Sequence, residues 1–502
     1  MKNGAATDRN RDILEKIQLV LDQLNSTGIG YCHWKSNYHI EYALGGKEDL
    51  DLLVDEEDFP GFVAILMEHG FKQADSISSK MQPGVFHFLG NDEATGSLIN
   101  IHAFTRILTG DHFLKSWNFP FAKMLLSDTR LSNGIRLPAK TSEIIVFTIR
   151  YMIKYTTLID CYTTMKSTAD IKEELEWLED GGDIEASLAT LKDFFPEISP
   201  PRFKQALAIL PENGKLIGKI RLGRVFGKCL KKYRRFSKPR QVFLTLIVLM
   251  RMAFNRLVRH EKHMRFKTGG KLIALVGPQA TGKSTLAAAV RDWLGAELAI
   301  TYIHAGKPPA TVLTYLANMI IPVAKRIFSS YDTVEYDKAA ENNDDGYDFP
   351  LMFVLRRVML AYERKKLLGR VYRETRNGKI CLSDRYPSDV IGAIDGATFS
   401  DEVISAQRSA VKRWLMKLER KLYDQICSPD MVLQLSVSVE EAIKRNQNRE
   451  KEGVEQTTEY VERRHAMIRL PEFQRCPVAS ISTDKSISDT IIEVKRFIWR
   501  HL

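Results

Sequence analysis

The sequence predicts a multidomain α/β protein, and three observations carry that prediction. At 502 residues, 44% hydrophobic and 27% charged, the chain exceeds one ordinary core and reads as roughly two to four globular domains. Its C-terminal half alternates short apolar runs with helix-like sequence, the mark of a parallel sheet with helices on both faces. Between one such run and the helix after it, GPQATGKS from Gly277 to Ser284 fits the pattern GxxxxGK[ST], which belongs to a strand, a glycine loop and a helix in that order.

Taken from the N-terminus, Ile13, Leu14, Ile17, Leu21 and Leu24 recur at helical spacing, so an amphipathic helix is expected from Asp12 to Leu24, broken by Gly28 and Gly30. LDLLVD has the apolar run of a strand, and further strands are expected at Val85 to Leu89 and Leu98 to Phe104. Residues 1–135 therefore read as a small α/β domain. Helical periodicity in EIIVFTIRYMIKY and IKEELEWLEDG makes 136–212 a helical annex, ended by Pro211. Residues 213–268 read as a basic helical linker around the apolar stretch Val242 to Met250, which is too short to cross a bilayer and suits a surface-lying or core-buried helix. The last domain, 269–502, should place strands at Lys271 to Val276, Leu298 to Ile303, Lys379 to Ser383, Met431 to Ser436 and Val478 to Ser482, with the acidic loop Glu341 to Asp348 between the second and third.

The net charge is +11, and it is concentrated. Between Lys215 and Lys267 a dense series of lysines and arginines meets the single acid Glu261, leaving the rest of the chain close to neutral. The six cysteines are scattered, with no CxxC pair, which argues against structural zinc or a disulfide framework and for a reducing compartment. A polar N-terminus and no uncharged run of spanning length make the expected location cytoplasmic.

The chemistry of the glycine loop follows from its residue types. Gly277 and Gly282 let the backbone curl so that successive N–H groups face phosphate oxygens, and the helix opening at Ser284 and Thr285 adds its positive end. Lys283 would reach the β- and γ-phosphates of ATP, and Ser284 would hold Mg²⁺. At the end of the third strand, SDRYPSD puts Asp384 where ligands bind in open α/β sheets. There Asp384 would support the metal or orient the acceptor oxygen, and Arg385 would clamp an acceptor phosphate. The plain alternative is a helix-capping aspartate beside a surface arginine.

On GPQATGKST, AYER at Ala361 to Arg364, DRY at Asp384 to Tyr386 and PDMVLQLSVSVEEAIKRNQNR from Pro429 to Arg449, the chain resembles the thymidylate kinase family of P-loop nucleoside monophosphate kinases. The resemblance implies a Mg²⁺- and ATP-dependent transferase with a mobile lid, in a family whose members often dimerise. It makes Arg364 the acceptor-phosphate arginine and Lys444 to Arg464 the lid with its flanks, where Arg445 and Arg449 approach the nucleotide and Arg463 and Arg464 follow. The chain departs from the family at Gln279, usually acidic, at Leu360, usually a stacking aromatic, and at IHAGKPP, usually REPG-like. Thymidylate as acceptor therefore does not follow; another monophosphate, or a phosphorylated sugar or polyol, stays open.

In GGKEDLDLLVD, Asp49 and Asp51 stand two apart, on one face of a strand, where two carboxylates can hold divalent metals against a triphosphate. With HWKSN at His33 to Asn37 this resembles the nucleotidyltransferase superfamily, which also expects a helical annex. Where that superfamily has its third carboxylate this chain has Asn100, followed by His102, and asparagine brings no charge to a cation. Two functions compete. One is a kinase fused to a nucleotidyltransferase-like module, a pair able to phosphorylate and then activate a sugar precursor for polysaccharide synthesis. The other is an ATP-gated binding module whose basic segment meets an anionic membrane. Without an interleaved aromatic platform, no nucleic acid is expected.

Overall fold

Leu14 is extended and gives its amide to the Leu44 carbonyl at 3.1 Å, so the first helix starts just after it, as α1 (Glu15–Ser26). The computed structural model describes residues 13–502 apart from 77–81, 158–159, 163, 165–167, 260, 312–335, 337–346, 392, 394, 448–457, 467–472 and 474. The chain divides into two compact units, Met1–Lys262 and His263–Leu502.

In the first unit, β1 (Tyr31–His33), β2 (Leu50–Val54), β3 (Lys72–Asp75), β4 (Val85–Asn91) and β5 (Leu98–Phe104) lie in the order β1-β2-β5-β4-β3. Only β2 and β5 pair in parallel, with Asp51 opposite His102, and the other pairs are antiparallel. One core covers the α1 side of the sheet through Leu21, Leu24, Leu52 and Phe62. A second core gathers around the helix α2 (Lys140–Lys154), whose Ile145, Phe147, Ile149 and Met152 are fully buried. It also takes in Trp34 and Leu53 from the strands.

The segment 213–268, expected as a linker, differs from that expectation. Its first helix, α3 (Leu216–Cys229), sends Leu222 and Phe226 into the α2 core, because these two sit four apart on one helical face. The following helix, α4 (Lys238–Phe254), has no buried residue, which removes the core-buried reading of Val242 to Met250.

The second unit carries an all-parallel sheet. Its strands β6 (Leu272–Val276), β7 (Ile300–Ile303), β8 (Ile380–Ser383), β9 (Met431–Ser436) and β10 (Val478–Ser482) lie in the order β7-β8-β6-β9-β10. All five residues of β6 are buried, as a central strand covered on both faces requires. The helix α5 (Lys283–Gly295) packs Leu286, Val290 and Leu294 inward; the long helix α6 (Leu351–Arg376) and then α7 (Ala410–Asp424) follow in sequence. The helices α8 (Val439–Gln447) and α9 (Ile487–His501) complete the cover. The acidic loop lies mostly outside the described residues; its Asp348 meets Lys412 at 2.7 Å.

Candidate functional site

The glycine loop leaves β6 at the middle of the sheet and delivers the chain into α5. Gly277 has φ +145°, and a Cβ there would strike the Leu435 carbonyl of β9; Gly282 caps α5 with φ +80°. Close approach forces the first glycine and the left-handed turn favours the second. Lys283 turns its ammonium back into the loop, donating to the carbonyls of Gly277 at 2.9 Å and Pro278 at 2.6 Å. Ser284 and Thr285 are exposed at the helix opening.

Asp384 follows β8, the neighbour of β6, and is buried. Its Oδ2 accepts from Ser284 Oγ at 3.4 Å and from the Tyr302 hydroxyl at 2.8 Å, while Oδ1 meets His304 Nδ1 in a short hydrogen bond. Burial opposes its ionisation, but the His304 and Tyr302 hydrogen bonds and the charge of Arg385 hold the carboxyl below its usual range. Burial and this carboxylate together push the Tyr302 hydroxyl up to about 12, so it stays a donor. One hydroxyl and one carboxylate this close suit Mg²⁺, which takes few protein ligands and completes its shell with phosphate oxygens and water.

The two acceptor-site arginines meet on a third residue. Arg364 of α6 donates to Asp395 Oδ1 at 2.7 Å, to the Tyr423 hydroxyl of α7 at 2.7 Å and to the Ala305 carbonyl at 3.1 Å. Arg385, at φ +152°, reaches Asp395 Oδ2 at 3.1 Å. Burial disfavours the Asp395 charge, yet Arg364, Arg385 and Arg464 hold its carboxyl low. One carboxylate thus holds both guanidinium groups, one on each oxygen.

Arg445 stands apart from the glycine loop, bonded to Glu441 at 2.9 Å and to the Thr483 carbonyl at 2.8 Å beyond β10. Arg449 falls outside the described residues. His465 approaches the loop from the far side of the expected lid, with Nε2 at 3.1 Å from the Gln279 carbonyl.

In the first unit Asp49 and Asp51 do converge, on His102 rather than on an open space. His102 Nε2 is 3.5 Å from Asp49 and Nδ1 is 3.3 Å from Asp51, and Lys35 adds a contact to Asp51 at 3.0 Å. Against the cost of burial, the two aspartates raise the imidazole pKa, while His102 and Lys35 bring Asp51 down to about 2. Asn100 lies beside them, 3.2 Å from His102, with its Oδ1 buried and without a hydrogen bond. The HWKSN segment has a positioning part: Asn37 donates to the buried Glu143 of α2 at 2.8 Å, and Trp34 meets Phe104 edge-on at 5.2 Å. Among the described residues no group of three or more His, Cys, Asp and Glu side chains is arranged to hold a metal. The His102 imidazole already occupies the space between Asp49 and Asp51.

Sequence reasoning missed Tyr302, Asp395, Tyr423 and His465. The departure IHAGKPP already marked His304, and the Asp-Gly turn signal at Asp395 and Gly396 was available to mark the carboxylate that gathers the arginines.

No family model matches the chain, and none of the curated proteins matches it. Among solved structures, thymidylate kinase from Candida albicans is 16% identical over 47% of this chain and 94% of its own, with a TM-score of 0.27. A likeness that slight decides neither fold nor chemistry, which rest on the geometry above.

Proposed function

We propose that the second unit is an ATP- and Mg²⁺-dependent phosphotransferase acting on a phosphorylated small molecule. The observation that carries this reading is the Ser284–Asp384 contact, which sets a metal-competent carboxylate beside a glycine loop at the carboxyl edge of a parallel sheet. Lys283 and the N-terminus of α5 would bind the β- and γ-phosphates, with Gly277, Gly282 and Thr285 shaping the cradle. Bound between Ser284 and Asp384, Mg²⁺ would supply charge neutralisation on those phosphates. The acceptor oxygen attacks the γ-phosphorus, the bond to ADP breaks, and the electron pair leaves on the β-phosphate oxygen. Arg364 and Arg385 would exchange Asp395 for the acceptor's own phosphate, so the acceptor must bring at least the charge that Asp395 now brings.

For the first unit the reading is a nucleotidyltransferase-like module that binds nucleotide without turning it over, supported by Asn100 in place of a third carboxylate and by His102 between the aspartates. The test of the main reading is ADP formation with Mg·ATP against nucleoside monophosphates, sugar phosphates and polyol phosphates. Turnover that depends on one acceptor and disappears in Lys283→Ala is expected. ADP release at the same rate with and without every acceptor would sink the acceptor half of the proposal, and an unaffected Lys283→Ala would sink the whole of it.

A further inference from the structure

The helix α4 is out of keeping with the rest of the chain. Within Lys238–Val258 an 18-residue stretch has a mean hydropathy of 1.5, and none of its residues is buried. Val242 and Phe243 are each 62% exposed, Met250 64% and Leu257 75%. Isolated exposed apolar residues are ordinary, but a whole turn-after-turn run is not. A helix apolar nearly all round belongs in a core or in lipid, and its own fold supplies no core for it.

The charges on α4 point to lipid lying along it. Arg240 and Arg251 are the cations that bracket the run, and eleven positions at 100° per residue bring them to within about 20° on the helix wheel. The ten residues from Gln241 to Met250 between them span only about 15 Å, half the roughly 30 Å of a bilayer core. The whole helical stretch Lys238–Val258 is long and apolar enough to cross, but only by carrying Arg251 and Arg256 into the bilayer; lying flat, it keeps Arg240 and Arg251 toward headgroups and Val242, Leu246 and Leu249 toward acyl chains. A second copy of the chain would need a stripe, whereas here the apolar surface wraps the helix.

At the root of α4 there is a cavity of about 730 Å³ between it and α3. Arg224, Lys228, Lys231, Arg234 and Lys238 line it, together with the apolar side chains Val242 and Leu246. Its acid, Asp111, is already engaged, accepting from the Leu114 amide at 2.7 Å, the Ser116 amide at 3.1 Å and Gln241 at 3.3 Å. Arg234 stacks on Trp117 at 4.8 Å and keeps a buried Nε without a partner. Cations at one end and an exposed apolar helix at the other match one ligand chemistry, an anionic headgroup followed by acyl chains.

We propose that α4 and this cavity form a docking surface for an anionic bilayer, with headgroups taken by the lysines and arginines beneath the helix. The full chain is mixed with vesicles of neutral phosphatidylcholine, or of the same lipid with about one third phosphatidylglycerol, and sedimented at low and high salt. Expected is pelleting with the anionic vesicles alone, reduced about tenfold by Phe243→Asp/Leu246→Asp and by Lys228→Glu/Lys231→Glu. Raised salt should weaken it further. All four side chains are exposed, so unchanged far-ultraviolet circular dichroism and melting verify folding. As a second readout, Leu246→Trp should blue-shift its emission on anionic vesicles. The proposal is overturned by a wild type that stays in the supernatant, by equal pelleting with neutral vesicles, or by an aspartate pair that pellets like the wild type. It is equally overturned if sedimentation velocity shows a dimer that the aspartate pair abolishes, because a second copy would then cover the helix.

Discussion

Both units place a buried aspartate beside a histidine at a parallel strand pair, yet the two sites differ in what neutralises the carboxylate. Asp384 receives hydroxyl and imidazole hydrogen bonds and faces Ser284 at the glycine loop. Asp51 is neutralised from within, by Lys35 and by the imidazole that Asp49 shares. The same residue type at the same kind of sheet edge is a candidate metal ligand in one unit and half of an internal ion pair in the other. The cations already in place decide which, more than the carboxylate does.

The sharpest way to break this comparison is to neutralise Asp384. Asp384→Asn should cost roughly a thousandfold in acceptor-dependent phosphoryl transfer, measured as kcat, the scale of losing one preorganised charge at a reacting phosphate. A loss below tenfold would make Asp384 as structural as Asp51. Next comes Asp395→Asn, which leaves Arg364 buried with its carboxylate gone and should cost the second unit about 3 kcal/mol in denaturant unfolding. Because the folded-state carboxyl is held low, this stability is fully present above the unfolded value near 4 and is lost as pH falls below it. The wild type and Asp395→Asn curves should therefore converge in acid.

A smaller effect, of opposite sign, belongs to Glu143. Burial pushes its carboxyl up to about 8, with Asn37 opposing. A raised acid binds its proton more tightly folded than unfolded, so the first unit should lose stability as pH rises from about 4.5 to about 8. Glu143→Gln should raise stability by about 2 kcal/mol at pH 8 and change little near pH 4, read by thermal melting. Smallest is the His102 ion pair. The raised imidazole contributes stability below its ordinary value and gives it up as pH rises through the folded value. In Asp51→Asn the His102 titration, followed by proton NMR, should move down; an unmoved titration would mean that Asp49 and burial alone set it.

The strands of the second unit were legible because each is a short apolar run between helical patterns, and β9 and β10 fall on the expected residues. Lys283, Ser284, Asp384 and Arg385 were legible as well, since a loop pattern and a strand end fix their places, whereas Arg364, within α6, was marked only by the resemblance at AYER. What escaped were partners brought in from elsewhere in the chain. Asp395 meets Arg364 across 31 residues and Tyr302 meets Asp384 across 82, and no local periodicity records such a meeting. In the first unit the aspartate spacing implied a shared strand face, although β2 begins at Leu50, one residue after Asp49. It said nothing of His102, which arrives on β5 by a register that only pairing defines. The exposure of α4 was equally hidden, because an apolar run reads the same whether it is covered or not.

The tuck of Gly277 against the Leu435 carbonyl sets a schedule for a chain made from its N-terminus. β6 pairs with β8 and with β9, so the strand that precedes the glycine loop lacks its first neighbour until synthesis has passed Ser383 and its second until it has passed Ser436. The loop's shape is therefore a late product of long-range pairing, and the motif emerges well before the site does. Nascent chains halted before β9 should carry the whole GPQATGKS sequence and hold no nucleotide, whereas chains halted after it should begin to. During translation this protein carries a legible glycine-loop sequence for more than a hundred residues before the loop has its shape.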